Sequence, residues 1–286
     1  ILTREILQYA STIEEAYAIA QKRKTFVSES ILIGSKRDGK AAIIEKSPEK
    51  TALFTGSSDQ IICTNHYQSD VFLNDERNQE NIATSDSPYR FHRLEELLEE
   101  NKPINSLKAA SILRNQKGLD NTDLGMGNEL AINQLIAHHS VIFQPEKLIM
   151  YVSTSPWQCG KYMAYDLNKI FSDSVDFHKG ITTEELTIPE DAFISKPTFK
   201  QFMVYKRLTP LIRENTKRKE SMEAKALSYY ETSNPSFYYV YEVLGDYYAS
   251  QQQIGKATAY WQKALTMPIP KDAEKARIQQ KIKKHQ

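Results

Sequence analysis

The chain has 286 residues, more than one typical domain, and length alone gives a soft expectation of about two. Lys and Arg number 37 against 36 Asp and Glu, a net charge of +1, which argues against a nucleic-acid surface, an acidic tail or a basic membrane patch. No stretch approaches the ~18 to 20 apolar residues needed to span a bilayer, and Cys63 and Cys159 are too few and too distant for a disulfide framework or a zinc site.

The sequence begins at Ile1 rather than Met, and Thr3 to Tyr9 already reads as the inside of a helix. The chain is therefore expected to be a processed or truncated piece of a longer polypeptide, whose missing N-terminal segment is its first partner. If a signal segment preceded Ile1, the parent would reside in the bacterial cell envelope or be secreted; these residues leave localisation open. Thr12-Ile-Glu-Glu15 has the form of a capping box, which predicts a helix from about Ile13 to Lys24. Short apolar strands follow at Ile31 to Ile33, Ala41 to Glu45, Thr51 to Phe54 and Gln60 to Thr64. The turn signals Lys36 to Gly39, Ser47 to Lys50 and Gly56 to Asp59 separate them, so hairpins and an antiparallel sheet are expected.

Asp86-Ser87-Pro88 opens a helix with a cap residue and an early proline, and Leu94, Leu97 and Leu98 give it one apolar face. A further helix is predicted over Ser106 to Asn115, then an irregular loop from Leu119 to Asn133. Ser140 to Phe143 and Lys147 to Ser153 flank the turn Gln144-Pro-Glu146 and form another hairpin. Helices on both sides of antiparallel strands indicate an α+β domain.

After about Thr198 the strand signals vanish, so a first domain over 1–197 and a helical region over 198–286 are expected. Tyr241, Leu244, Gly245, Tyr248, Ala257, Trp261 and Ala264 fall on the tetratricopeptide spacing, which predicts two antiparallel helices meeting near Gly245 and Ala257 with Trp261 buried. Pro268 and Pro270 close the second of them.

Gly-rich phosphate loops, His-Glu-x-x-His zinc motifs and Gly-x-Ser-x-Gly elbows are absent from the sequence, and no metal or other cofactor is called for. On a strand, His138 and His139 would point to opposite faces, one into the core and one to solvent, which disfavours a shared metal. The two glycines of "DLGMGNE", residues 123 to 129, read as a plain turn rather than a nucleotide loop, since no strand precedes them.

"ILTREILQYASTIEEAYAI", "SILIGSKRDGKAAIIEKSPEK", "CTNHY" and "DSPYRFHRLEELL" stand in an order and spacing that resemble the penicillin acyltransferase-like family of N-terminal-nucleophile hydrolases, over roughly residues 1 to 155. The resemblance implies a four-layer αββα fold and cleavage or transfer at an amide carbonyl, on a small acylated amine or amino acid. It implies a Cys nucleophile exposed by autocatalytic cleavage, with its own α-amino group as base. Asn65 matches the family's strand-end Asn, whose amide donates to the oxyanion. Arg90 matches an Arg that favours the thiolate, with Arg93 one turn on as the alternative. His66 and Tyr67 would line the substrate side of the same wall.

On residue type alone, Asn65 reads as a turn former bonding its own backbone, and Arg90 as a solvated surface residue. The family's nucleophile, and the Asp that orients its amine, lie upstream of the segment that matches Ile1. Cys63 cannot stand in: it has no α-amino group, and an apolar strand around it would raise its thiol pKa. The chain alone is thus expected to be inert. A rival reading is a non-catalytic binding module that uses the layered scaffold and the helical hairpin to hold a peptide.

Overall fold

A computed structural model describes residues 1–56 and 59–285, so Ser57 and Ser58 of the expected Gly56–Asp59 turn lie outside the described residues. The chain is α+β: the described residues form two three-stranded sheets with helices before, between and after them. It divides into two compact units, residues 1–95 with 143–149, and residues 96–142 with 150–285.

In the first unit, helices α1 (Leu2–Tyr9) and α2 (Ile13–Lys22) precede strands β1 (Glu29–Ser35), β2 (Lys40–Lys46) and β3 (Thr51–Phe54). Thr12 caps α2 as its spacing predicts, accepting from Glu15 N at 3.2 Å. The returning carboxylate of Glu15 takes the N–H of Ser11, at 2.6 Å, rather than that of Thr12. Asp38, in the β1–β2 turn, accepts from Ile13 N at 2.7 Å, and this bond holds its carboxyl below the usual carboxylate range. Gly39 in that turn has φ +63°, a conformation that costs glycine nothing.

The sheet is antiparallel in the order β1-β2-β3, with Glu29 opposite Lys46, Ser35 opposite Lys40 and Lys46 opposite Thr51. Alternation along β2 puts Ile44 toward α1 and α2, where it joins Leu2, Ile6, Ala16 and Ala20 in one core. Ile43 and Glu45, on the other face, are also fully buried.

Gln60 to Thr64 form no strand, contrary to the sequence expectation. Ile61, Ile62 and Cys63 are half-buried, and a short apolar run does not by itself fix a ladder. Beyond them come α3 (Asp70–Leu73), α4 (Glu76–Thr84), capped by Asp75, and α5 (Ser87–Glu100).

In the second unit lie α6 (Ser106–Leu113), capped by Asn105, and the irregular segment expected over Leu119 to Asn133. Strands β4 (Val141–Gln144), β5 (Ile149–Ser153) and β6 (Tyr162–Asp166) form the second sheet in that order, its hairpin tip Phe143–Ile149 belonging to the first unit. The sequence reading missed β6. His138 and His139 are both exposed and lie outside any strand, so the expectation of one core and one solvent histidine is corrected.

After α7 (Leu167–Ile170) the chain turns helical: α8 (Pro197–Arg218), α9 (Ala224–Ser233), α10 (Tyr238–Ser250), α11 (Ile254–Leu265) and α12 (Asp272–Lys284). α10 and α11 form the expected hairpin. Trp261 is 2% exposed, and a Cβ on Gly245 would sit 2.4 Å from its indole, so only glycine permits the approach. The "DLGMGNE" segment packs onto this region. Asn234 closes two hydrogen bonds with the Met126 backbone, at 2.9 and 2.7 Å, and a Cβ on Gly125 would collide with Phe237. Gly125, at φ +76°, thus serves a close approach to Phe237.

Candidate active site

The segment Thr64 to Ser69 carries three of the four sequence-predicted site residues, and side chains distant in sequence hold it at both ends. Glu45 accepts from Gln68 N at 2.5 Å, Ser69 N at 3.0 Å and Ser69 Oγ at 2.5 Å. A buried carboxylate is costly unless its lone pairs are filled, and these three donors fill them. Asn78, buried on α4, accepts from Tyr67 N at 2.9 Å and donates to Tyr67 O at 3.0 Å, while Tyr67 Oη donates to Lys46 O at 2.6 Å. The segment is thereby tied to β2 and α4 without belonging to a helix or strand.

Asn65 is exposed at the crest of this loop. Its backbone carbonyl accepts from Asn81 Nδ2 at 2.6 Å, and its side-chain Oδ1 accepts from Arg90 Nη2 at 2.8 Å. Arg90 is set in turn by Asp86, one helical turn earlier on α5, through Nε to Oδ2 at 2.8 Å. A guanidinium only donates, so it must face the amide oxygen of Asn65 and thereby fixes which way the amide lies. The Nδ2 amide group has no partner among the described residues.

His66 is half-buried beside Phe91, with ring centroids 5.6 Å apart. Its Nδ1 lies 3.1 Å from Thr64 Oγ1 and 2.8 Å from Ser87 Oγ. Burial pushes its pKa below the ordinary histidine value; nearby Glu45 opposes that shift, and Arg90 and His92 reinforce it. The imidazole is therefore neutral at neutral pH.

Asn65, His66, Tyr67, Thr64 and Cys63 line a cleft of about 760 Å³, together with Ser28, Ser30 and, from α4, Asn78 and Asn81. Arg90 does not line the cleft; it reaches it only through Asn65. Arg93, its alternative, is fully buried. Cys63 is a free thiol that burial pushes up in pKa, with no hydrogen bond to His66 among the described residues. It lines the cleft from a segment that is neither helix nor strand.

Residues 1–124 match the family of acyl-coenzyme A:6-aminopenicillanic acid acyl-transferase. The span stops short of the ~155 residues expected from the motifs, yet it contains Asn65, His66, Tyr67 and Arg90 and every wall of the cleft. The penicillin acyltransferase-like resemblance holds over that span, and residues 125–286 lie outside it. No curated protein and no solved structure matches the chain.

A second cleft, about 580 Å³, is lined by α8, α10 and α12 in the helical region. Its buried Glu242 is forked by Arg277 at 2.9 and 2.8 Å and bound by Lys281 at 2.7 Å, an arrangement that spends its charges on one another. Among the described residues no group of three His, Cys, Asp or Glu is placed to hold a metal, and no described helix is long and apolar enough to cross a membrane.

The sequence reading missed Glu45, Thr64, Ser87 and Asn78. For Glu45 a signal existed: in "AAIIEK" it shares the strand face of Ile43, an inward-facing position where a charge requires a partner.

Proposed function

We propose that this chain is the oxyanion wall of an acyltransferase or amidohydrolase acting on a small N-acylated amine or amino acid. The observation that carries the reading is the Asn65 amide: its oxygen is held by Arg90, and its N–H group is left to the cleft. An oriented amide donor at a carbonyl stabilises the tetrahedral intermediate more than the planar ground state, because negative charge develops on the oxygen only there. In this reading Arg90 is a positioning residue, acting on the reacting centre through Asn65 rather than on a thiolate.

The nucleophile is a Cys outside residues 1–286, exposed by autocatalytic cleavage. The raised pKa of Cys63 supports looking elsewhere, since the thiolate is the attacking form. His66 and Tyr67 bind the substrate. On this reading the fold is that of the family the chain resembles, a four-layer αββα sandwich, with the domain boundary near residue 197 and α10–α11 as a tetratricopeptide-like hairpin.

The test is turnover of acylated amines by the parent enzyme. Asn65→Ala should cut the chemical step by ~10² to 10³, the usual effect of removing one oxyanion donor. Unchanged turnover would refute the reading.

A further inference from the structure

Ser87, fully buried at the start of α5, has two hydrogen-bond neighbours in the Asn65 loop: Thr64 Oγ1 at 3.0 Å, to which it donates, and His66 Nδ1 at 2.8 Å. A hydroxyl has one proton, and this one goes to Thr64. The shorter contact then holds a proton only if the ring supplies it. Nδ1–H therefore donates to Ser87 Oγ, with Thr64 Oγ1, at 3.1 Å, as a second acceptor in reach. Thr64 is half-buried and lines the cleft, so its own proton is left to solvent. The opposite order, with Ser87 donating to Nδ1, would need Thr64 to donate to Ser87, and Thr64 meets Ser87 as the acceptor. The tautomer follows from this hydrogen-bond pattern, not from a visible hydrogen.

The ring is neutral at neutral pH, because burial pushes its pKa down, with Arg90 and His92 reinforcing that shift and Glu45 opposing it. A neutral imidazole that donates through Nδ1 carries a lone pair on Nε2. Nε2 has no partner among the described residues. It is also not one of their buried unpartnered atoms, which are Thr25 Oγ1 and Glu274 Oε2, so it is accessible on a side chain that lines the cleft. The same cleft is lined by Glu29, Glu49, Asp75 and Glu76 against Lys50 and Arg77, and Lys50 is spent on Asp75 at 3.1 Å. The carboxylates left over outnumber the one guanidinium, which favours a cation there.

We propose that Ser87 holds His66 with its proton on Nδ1, and that the bare Nε2 accepts an N–H from a primary ammonium group of the ligand in the cleft. Ser87 is a positioning residue: it sets what the imidazole presents without touching the ligand. Asn65 then offers an N–H to an oxygen and His66 a lone pair to a nitrogen, so consecutive residues of one loop read the acyl group and the amine separately. Joining that amine to an acyl group rests on the acyl-transfer reading above; the tautomer and the ammonium site do not.

The experiment is a long-range proton–nitrogen correlation spectrum of the chain with labelled histidines at neutral pH, His66 being assigned by its loss in His66→Gln. His66 should show a protonated Nδ1 and a bare Nε2. The Nε2 resonance should move on titration with butylammonium and not with butyltrimethylammonium, which has the same charge and no N–H. His66→Ala should weaken butylammonium by about tenfold, the scale of one hydrogen bond with a charged donor, and leave butyltrimethylammonium unchanged. Ser87→Ala, which removes the acceptor of the ring N–H, should give mixed tautomers. A protonated Nε2 in the unmodified chain, or equal responses of Nε2 to the two probes, overturns the proposal, and a single tautomer kept in Ser87→Ala removes Ser87 from it. Asn65→Ala should leave the tautomer and butylammonium binding untouched, so the two readings fail separately: undiminished turnover in that variant sinks the acyl-transfer reading and not the ammonium site.

Discussion

The Asn65 loop and the α10–α11 hairpin are both held in place, but by opposite means. The hairpin is held by packing: Gly245 against Trp261, Tyr248 stacked on Tyr260 at 5.3 Å, and eight buried residues along α10 alone. Even the polar atom of Trp261 is used up, its Nε1 donating to Asp246 at 3.0 Å. The loop is held instead by hydrogen bonds from Glu45, Asn78, Ser87 and Arg90, each reaching it from another element. Those bonds use one side of Asn65 and His66 and leave the other side to the cleft. Aromatic density therefore marks the scaffold here, while half-satisfied polar side chains mark the candidate site.

Breaking the packed region should give the largest loss of stability. Trp261→Ala empties a buried site and should cost about 3 to 5 kcal/mol in chemical denaturation. Next comes the buried carboxylate of the loop. Glu45→Ala strands three donors, one of them the buried Ser69 N–H, and should cost about 3 kcal/mol; a cost near zero would mean that the loop does not depend on its clamp.

Gly245→Ala sets two effects against each other. Alanine improves helix propensity by about 1 kcal/mol, while crowding the indole costs about 1 to 3 kcal/mol. Crowding should win by about 1 kcal/mol, seen as a lower melting temperature, and a stabilised variant would refute the close approach.

The smallest effect concerns pH. His66 takes up its proton at lower pH when folded than when unfolded. The unfolded chain therefore binds the proton first as pH falls below about 6.5, so the His66 contribution is present above that value and is lost on acidification until the lower folded pKa is passed. His66→Gln should flatten that part of the melting-temperature profile; an unchanged slope would assign it to other groups.

How much of this was legible in the sequence follows the same division. The hairpin was readable because packing positions recur at helical spacing, so Tyr241 to Ala264 announced two helices and a buried Trp261. Strands β1 to β3 were readable from short apolar runs and turn residues, down to the Ser47 turn, where Ser47 Oγ accepts from Lys50 N at 3.0 Å. The run Ile61 to Cys63 misled because apolarity signals burial, not a ladder partner. Asn65 and Arg90 were singled out by family resemblance, and their contact, spanning 25 residues, leaves no local trace. The Ser87–Thr64 hydrogen bond, spanning 23 residues, was invisible for the same reason, while the inward position of Glu45 could be read from its strand but not the donors that meet it.

The most direct test of the account is Asn65→Asp in the enzyme proposed above, with turnover and melting temperature measured together. A carboxylate there would keep its acceptor toward Arg90 and gain an ion pair, so the fold should melt at the same temperature or higher. It would also replace the N–H donor with negative charge facing the developing oxyanion, so turnover should fall by at least the ~10² to 10³ expected for Asn65→Ala. A variant that keeps its melting temperature and loses its turnover supports the account. An active Asn65→Asp enzyme would make Asn65 a turn residue and contradict it.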